Sequence, residues 1–150
     1  MKRNIFKKNF EEDPSDVGIE AERFCKAASI DSEEERFRMW NSFLKQNSDD
    51  SLVLIKASMK GFVSGVPENE ILKYSELFYK EVLKVFDETD REYAETFYEN
   101  LSPWVDDFHA ELKKIKSLEH EKTKNQETWT KCLTVRQQKL KRKISKPFYQ

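Results

Sequence analysis

PENEILKYSELFYKEVLKVFDETD, residues 67–90, carries the clearest structural signal in the chain. Its apolar side chains recur at intervals of three and four residues, and they are Ile71, Leu72, Tyr74, Leu77, Phe78, Val82, Leu83 and Phe86. This spacing is typical of an amphipathic α-helix, which turns once every 3.6 residues or so. Pro67 suits the start of such a helix, and Thr89-Asp90 suits the cap of a following one. The stretch therefore predicts a long helix with one face in a core.

The same periodicity predicts six further helices. The first is expected to end at about Ala28, and the next two to span Ser32–Gln46 and Ser51–Lys60. Beyond the long helix, one is expected to run from Thr89-Asp90 to Pro103, one to begin at about Asp106, and the last to span Asn125–Ile144. Asp13-Pro14-Ser15-Asp16 and Asp31-Ser32-Glu33-Glu34 resemble helix starts, since their side chains accept hydrogen bonds from free backbone N–H groups. Gly61 is predicted to end the third of the seven helices in a left-handed conformation.

Each predicted helix has a few apolar positions on one face. The inward positions are Ile19, Phe24, Ala27 and Ala28; Phe37, Trp40, Phe43 and Leu44; Leu52, Ile55 and Met59; Tyr93, Phe97 and Leu101; Phe108, Leu112 and Ile115; and Trp129, Leu133, Leu140 and Ile144. Glu111, Lys113 and Lys114 are expected on the polar face of their helix.

The composition agrees with an all-α fold. Hydrophobic and charged residues each make up 37% of the 150 residues, and only three glycines and four prolines are present, too few for many tight β-turns. About seven helices with short connections favour stacked antiparallel pairs, a HEAT-like α-α superhelix. We expect a leader helix over residues 1–12, one helical-repeat domain over 13–146 and a tail over 147–150.

The chain shows no run of about 20 apolar residues that could cross a bilayer and no export signal. Cys25 and Cys132 have neither disulfide nor metal-ligand spacing, which favours reduced thiols and a cytoplasmic location. Charge is distributed unevenly: residues 1–130 carry a net charge of −8 and residues 131–150 a net charge of +7.

No residue set predicts catalysis, cofactor binding or metal binding. His109 and His120 are eleven residues apart, whereas zinc-binding histidines on a helix are typically four apart, so exposed histidines are the favoured interpretation. Cys132 follows Lys131, but the sequence places no base beside it, which favours a structural thiol.

The basic end of the chain, with Lys139, Lys141, Arg142 and Lys143, could attract phosphate groups. Cations at a helix C-terminus also complement the helix dipole, and this second interpretation is favoured over nucleic-acid binding.

The order of several landmarks resembles a known family. The landmarks are Asp13-Pro14-Ser15-Asp16-Val17-Gly18, Cys25 to Ile30, Trp40 with Phe43-Leu44, Ala57-Ser58-Met59-Lys60-Gly61-Phe62, Tyr79, Glu92-Tyr93-Ala94, Leu101-Ser102-Pro103, and the helix from Trp129 to Arg136. Over roughly residues 10–145 they resemble the C-terminal helical domain of the aminopeptidase N family of zinc metallopeptidases, the domain also found in endoplasmic reticulum aminopeptidases.

The resemblance implies a non-catalytic accessory domain that caps the substrate chamber of a zinc aminopeptidase. The zinc of such an enzyme is bound by a His-Glu-x-x-His helix in a separate catalytic domain, and this chain lacks that motif. The expected partners are therefore that catalytic domain or a peptide or protein. The alternative is a free-standing helical-repeat module that binds proteins.

Overall fold

The computed structural model describes residues 16–46, 49–103 and 107–145. Within these ranges the chain forms seven α-helices and no β-strand, which confirms the all-α class. The helices are α1 (Asp16–Ala28), α2 (Glu33–Phe43), α3 (Leu52–Gly65), α4 (Ile71–Glu88), α5 (Arg91–Leu101), α6 (Phe108–Leu118) and α7 (Gln126–Ser145), with a 3-10 turn at Glu68–Glu70 before α4. The predicted leader at 1–12 and tail at 147–150 lie outside the described residues. None of the helices described is long and apolar enough to cross a membrane.

The helices group into two compact units. The first unit contains α1, α2 and α3, and the second contains residues 44–46 and α4 to α7. The assignment of 13–146 to one domain and the stacking of antiparallel pairs stay predictions.

In the first unit, α1 packs against α3 with the two backbones unusually close. A Cβ atom on Gly61 would lie 2.2 Å from the carbonyl oxygen of Phe24, and one on Gly65 would lie 2.5 Å from that of Ala28. The prediction that Gly61 ends its helix was wrong, because α3 continues to Gly65 and no described glycine has a positive φ. Gly61 is required for the close approach of α1.

Aromatic rings from α2 and α3 fill the rest of the first core. Trp40 and Phe62 are almost fully buried, with ring centroids 6.1 Å apart, and Phe43 meets Phe62 edge-on at 5.8 Å. Phe37, predicted to face inward, is 40% exposed, whereas Arg36 is 6% exposed. The Nη1 atom of Arg36 donates to the Ile30 carbonyl at 2.8 Å, which offsets the cost of burying the guanidinium.

The second unit has a larger aromatic core between α4, α5 and α7. Phe78 stacks on Phe97 with centroids 5.6 Å apart, and Trp129 packs edge-on against Phe86 at 5.0 Å and Tyr98 at 6.1 Å. All five side chains are at most 4% exposed. Such pairs add about 0.5–1.5 kcal/mol each beyond the apolar area they bury.

Capping side chains begin several helices, and the sequence predicted those at Thr89-Asp90 and within Asp31-Ser32-Glu33-Glu34. Asp90 accepts a hydrogen bond from the Tyr93 N–H at 2.9 Å at the start of α5. At the start of α6, Asp107 accepts one from the Ala110 N–H at 3.0 Å. In α2 the cap is Ser32, which accepts from the Glu35 N–H at 3.3 Å. These bonds fix where the helices begin.

Candidate functional site

A groove of about 370 Å³ lies between α5 and α7 in the second unit. One wall comes from one face of α5, where the residues are three and four positions apart, and from the cap residue after the helix. These residues are Glu95, Tyr98 and Glu99, followed by the cap residue Ser102. The opposite wall comes from α7, and its residues are Lys131, Cys132, Val135, Arg136 and Lys139. The groove therefore runs between an acidic wall and a basic wall.

The two helices run in the same direction along the groove. Near its start, the Lys131 Nζ lies 3.2 Å from Glu95 Oε1. One and a half turns further on, Arg136 Nη2 donates to the carbonyl of Pro103, just after α5, at 2.6 Å. Lys131 is thus neutralised by Glu95 at one end of the groove, whereas at the other end Lys139 has no ion-pair partner among the described residues.

Arg136 is held in place by a buried carboxylate. Its Nε and Nη2 atoms donate to Glu111 Oε1 at 2.9 and 2.7 Å. The side chain of Glu111 is 1% exposed and that of Arg136 is 17% exposed. Charge-assisted bonds of this kind are strong and directional, so the guanidinium is fixed at the wall of the groove.

Glu111 was predicted on the polar face of α6, and this was wrong. It lies four residues before Ile115, at the helical spacing that places it on the buried face. A charged residue at a core position is tolerated only with a partner, and Arg136 is 25 residues away in sequence. The spacing of Glu111 was a usable signal, but the identity of its partner was not visible in the sequence.

Two tyrosines share the buried environment of this ion pair. Burial raises the pKa of the Tyr79 hydroxyl well above its usual range, and the negative charge of Glu111 raises it further. Burial is also the main cause of the raised pKa of Tyr98, against which the charge of Arg136 acts in the opposite direction. Both phenols stay protonated over the physiological range, so neither serves as a base.

Cys132 lies in the groove wall with little exposed surface, at 6%. Burial raises the pKa of its thiol to about 12, and the carboxylates of Glu95 and Glu99 also raise it. Lys131 acts in the opposite direction but is engaged by Glu95. Because the thiolate is the reactive form, this environment disfavours nucleophilic chemistry at Cys132.

The histidines considered as zinc ligands lie on the surface. His109, near the start of α6, and His120, just after its end, are both exposed. No group of three or more His, Cys, Asp or Glu side chains in the described ranges is arranged to hold a metal ion. The structure thus brings neither histidine together with a second ligand.

Three of the four cations at the end of α7 lie on one side of the helix, and Lys141 projects from another. All are exposed, but Lys139 lines the groove while the Nζ of Lys143 lies over the Phe108 ring at 5.0 Å from its centroid. Lys141 is two residues from each of them and projects from another face of the helix. Lys139, Arg142 and Lys143, at spacings of three and four residues, therefore lie on one side of the helix, and Lys141 lies apart from them.

Comparison of the chain with protein-family models, curated proteins and solved structures finds no match.

Proposed function

We propose that this chain is the C-terminal accessory domain, or a fragment of it, of an aminopeptidase N-like zinc aminopeptidase. In this role it carries no catalytic residue of its own and caps the substrate chamber formed with a catalytic domain. The observation that supports the proposal best is that landmarks of the resemblance, separated in sequence, contact each other within each unit.

In the first unit, the Ala57–Phe62 landmark contacts α1 at the edge of another landmark. The backbone of Phe24, the residue just before the Cys25–Ile30 segment, lies against Gly61, and Ala28 within that segment lies against Gly65 further along α3. Trp40, a third landmark, packs on Phe62. A side chain at position 61 would disturb this contact, which explains why that segment contains a glycine.

In the second unit, the last landmark helix contacts the Leu101-Ser102-Pro103 turn. Arg136 donates to the Pro103 carbonyl, and Trp129 packs on Tyr98 of α5. Landmarks that form mutual contacts support a shared fold more strongly than a scattered set of core residues would. They act as a framework and not as a reaction centre.

A domain of this kind contributes shape and electrostatic potential to a chamber. The charged walls of the α5–α7 groove supply both signs of charge on a rigid helical surface. Cys25 and Cys132 are both free thiols, and the proposal includes a cytoplasmic location, where thiols remain reduced.

The first test is whether the purified chain hydrolyses aminoacyl-amides. We expect no turnover above the blank, with or without added zinc. Turnover that a chelator abolishes would contradict the proposal. Reading the gene upstream of Met1 for an in-frame His-Glu-x-x-His sequence provides a quick independent check.

The decisive test uses the catalytic portion of an aminopeptidase N-type enzyme that lacks its C-terminal helical domain. Added chain should form a complex and change the ratio of long-peptide to aminoacyl-amide hydrolysis, because a cap limits access by size. Gly61→Ala, which disrupts α1–α3 packing, should weaken both effects, whereas Ser64→Ala on the exposed face of α3 should not. Absence of any complex would remove the proposal.

The alternative of a free-standing protein-interaction module is favoured by the groove itself. A concave surface with charge on both walls can bind a protein segment without any catalytic domain. An upstream gene region without a catalytic domain, together with binding of a protein partner at the groove, would favour the module over the accessory domain.

A further inference from the structure

We propose that the α5–α7 groove binds an extended segment of a protein partner in which an apolar side chain is followed or preceded, two residues away, by an acidic one. This inference deepens the proposed function, since it names the chemistry that the partner presents to the groove. It stands on the exposed apolar side chain of Val135 and on Lys139, the groove cation of α7 that has no ion-pair partner among the described residues.

The apolar part of the site is centred on Val135. Its side chain is 43% exposed, one of only five large apolar side chains so exposed within the described ranges. Tyr98 and Cys132, both mostly buried, line the groove beside it. A partner side chain placed here removes apolar surface from water, which contributes roughly 25 cal/mol per Å².

The ionic part of the site is at the far end of the groove. Lys131 is already paired with Glu95, whereas Lys139 forms no ion pair with any residue that the structure describes. Arg136 uses Nε and Nη2 for Glu111 and Pro103, which leaves the N–H groups of Nη1 without a protein acceptor in the described part of the chain. An acidic side chain of the partner can form an ion pair with Lys139, and Arg136, whose charge Glu111 neutralises, adds the N–H groups of Nη1 as hydrogen-bond donors.

The spacing of the two parts sets the conformation of the ligand. Val135 and Lys139 are four residues apart on α7, a rise of about 6 Å. Two residues of an extended strand span about 6.6 Å, so alternate side chains of an extended segment match both positions. Glu99 on the opposite wall repels an acidic side chain placed in the middle of the groove. The acidic residue of the segment is therefore favoured only at the Lys139 end.

A nucleic acid is a poorer match for the same surface. A phosphate backbone would engage all the exposed cations at the end of α7, Lys141 included, because its attraction is long-ranged and sequence-independent. The groove presents its cations on one wall and carboxylates on the other, which disfavours a continuous polyanion.

The test is an NMR titration of the full chain with two capped peptides, acetyl-SLSES-amide and the reversed order acetyl-SESLS-amide. At least one of the two peptides should produce saturable chemical-shift changes in the NMR signals of Val135 and Tyr98. Lys139→Glu should weaken its binding by up to about fivefold, the scale of an exposed ion pair, while Lys141→Glu should leave it unchanged. Lys141→Glu makes the same charge change on the same helix, so it controls for long-range electrostatics. Because both side chains are exposed, neither substitution disturbs the core.

Three results would overturn the assignment: no saturable shift with either peptide, equal weakening by Lys139→Glu and Lys141→Glu, or tighter binding of acetyl-SLSKS-amide. A short single-stranded oligonucleotide that shifts the same signals, with both variants equally weakened, would assign the surface to polyanions instead. Val135→Ser provides a second variant that removes the apolar contact alone and should also weaken binding. If the chain forms the complex with the catalytic domain but binds neither peptide, only the groove assignment is contradicted. If it forms no complex, the proposed function is contradicted.

Discussion

The two units achieve close packing by opposite means. In the first unit, α1 and α3 approach because Gly61 and Gly65 present no side chain at the contact. In the second, the space between helices is filled with aromatic rings and a buried Arg136–Glu111 pair. The first unit should therefore be most sensitive to an added atom, and the second to the loss of a charge or a ring.

The two cysteines give the largest expected difference between the units. Cys25 on α1 is exposed, whereas Cys132 on α7 is buried with a thiol pKa of about 12. Because its pKa is raised, the Cys132 thiol is almost entirely protonated at pH 8, and burial blocks access as well. Iodoacetamide followed by mass spectrometry of each cysteine peptide should show fast labelling of Cys25 and almost none of Cys132 until the protein is denatured. Comparable native labelling of both thiols would show that the groove wall at Cys132 opens readily.

Removing one member of the buried ion pair should be the most damaging single change in the second unit. Arg136→Met leaves Glu111 buried without its counterion, which typically costs about 3–5 kcal/mol of unfolding free energy. Urea unfolding followed by circular dichroism measures the loss.

Two matched variants define the cause of that loss. Lys131→Met breaks an exposed ion pair on the same helix and should have a much smaller effect. Arg136→Met combined with Glu111→Leu removes both charges and should recover much of the stability, because an apolar pair avoids the desolvation cost. A double variant no more stable than Arg136→Met would indicate that the packing of Arg136, and not its charge, stabilises the unit.

In the first unit, Gly61→Ala should cost about 1–3 kcal/mol even though alanine has the better intrinsic helix propensity. The added Cβ would meet a backbone carbonyl, which cannot move aside without shifting α1. Hydrogen exchange of peptides from α1 and α3 should report faster local opening. Ser64→Ala, on the exposed face of α3, serves as the control and should be nearly neutral. Unchanged exchange in Gly61→Ala would contradict the close-contact interpretation.

Much of the fold could be predicted because helical periodicity is a local property of the sequence. Trp40, Phe97 and Trp129 were expected in the core, and each is fully buried. The predicted start of α5 at Asp90 was confirmed by its capping bond. Local patterns of this kind determine both the helix and the face that it buries.

The misassigned residues depend on contacts that are distant in sequence. Gly61 is suited to a helix end by its local chemistry, but its actual partner is Phe24 on another helix. Glu111 looks like a surface residue until Arg136 is placed beside it. The α5–α7 groove was missed for the same reason, since it exists only once the two helices are aligned. Residue type and spacing on one helix carry no information about which other helix lies opposite.

Loss of a helix cap should destabilise the two units to different extents, and this is the smallest difference expected between them. Asp90 in the second unit accepts from the Tyr93 N–H at 2.9 Å, whereas Ser51 in the first accepts from the Leu54 N–H at a longer 3.5 Å. Asp90→Ala should cost about 1 kcal/mol and Ser51→Ala about 0.5 kcal/mol, the range for such caps. Thermal unfolding of the two variants at neutral pH measures the difference.

The Asp90 cap should also depend on pH. A hydrogen bond from Gln46, together with the Tyr93 N–H, lowers the pKa of Asp90 below its usual 3.8. A lowered pKa in the folded state means that the charged cap stabilises the protein above pH 3.8 and that this contribution is lost as the pH falls through the folded-state value. Asp90→Asn retains a capping acceptor without a titratable group, so its stability should fall less than that of the parent chain on acidification. Parallel acid dependence of the two proteins would show that the carboxylate charge adds nothing to the cap, and α5 would then begin by the same neutral hydrogen bonding as α3.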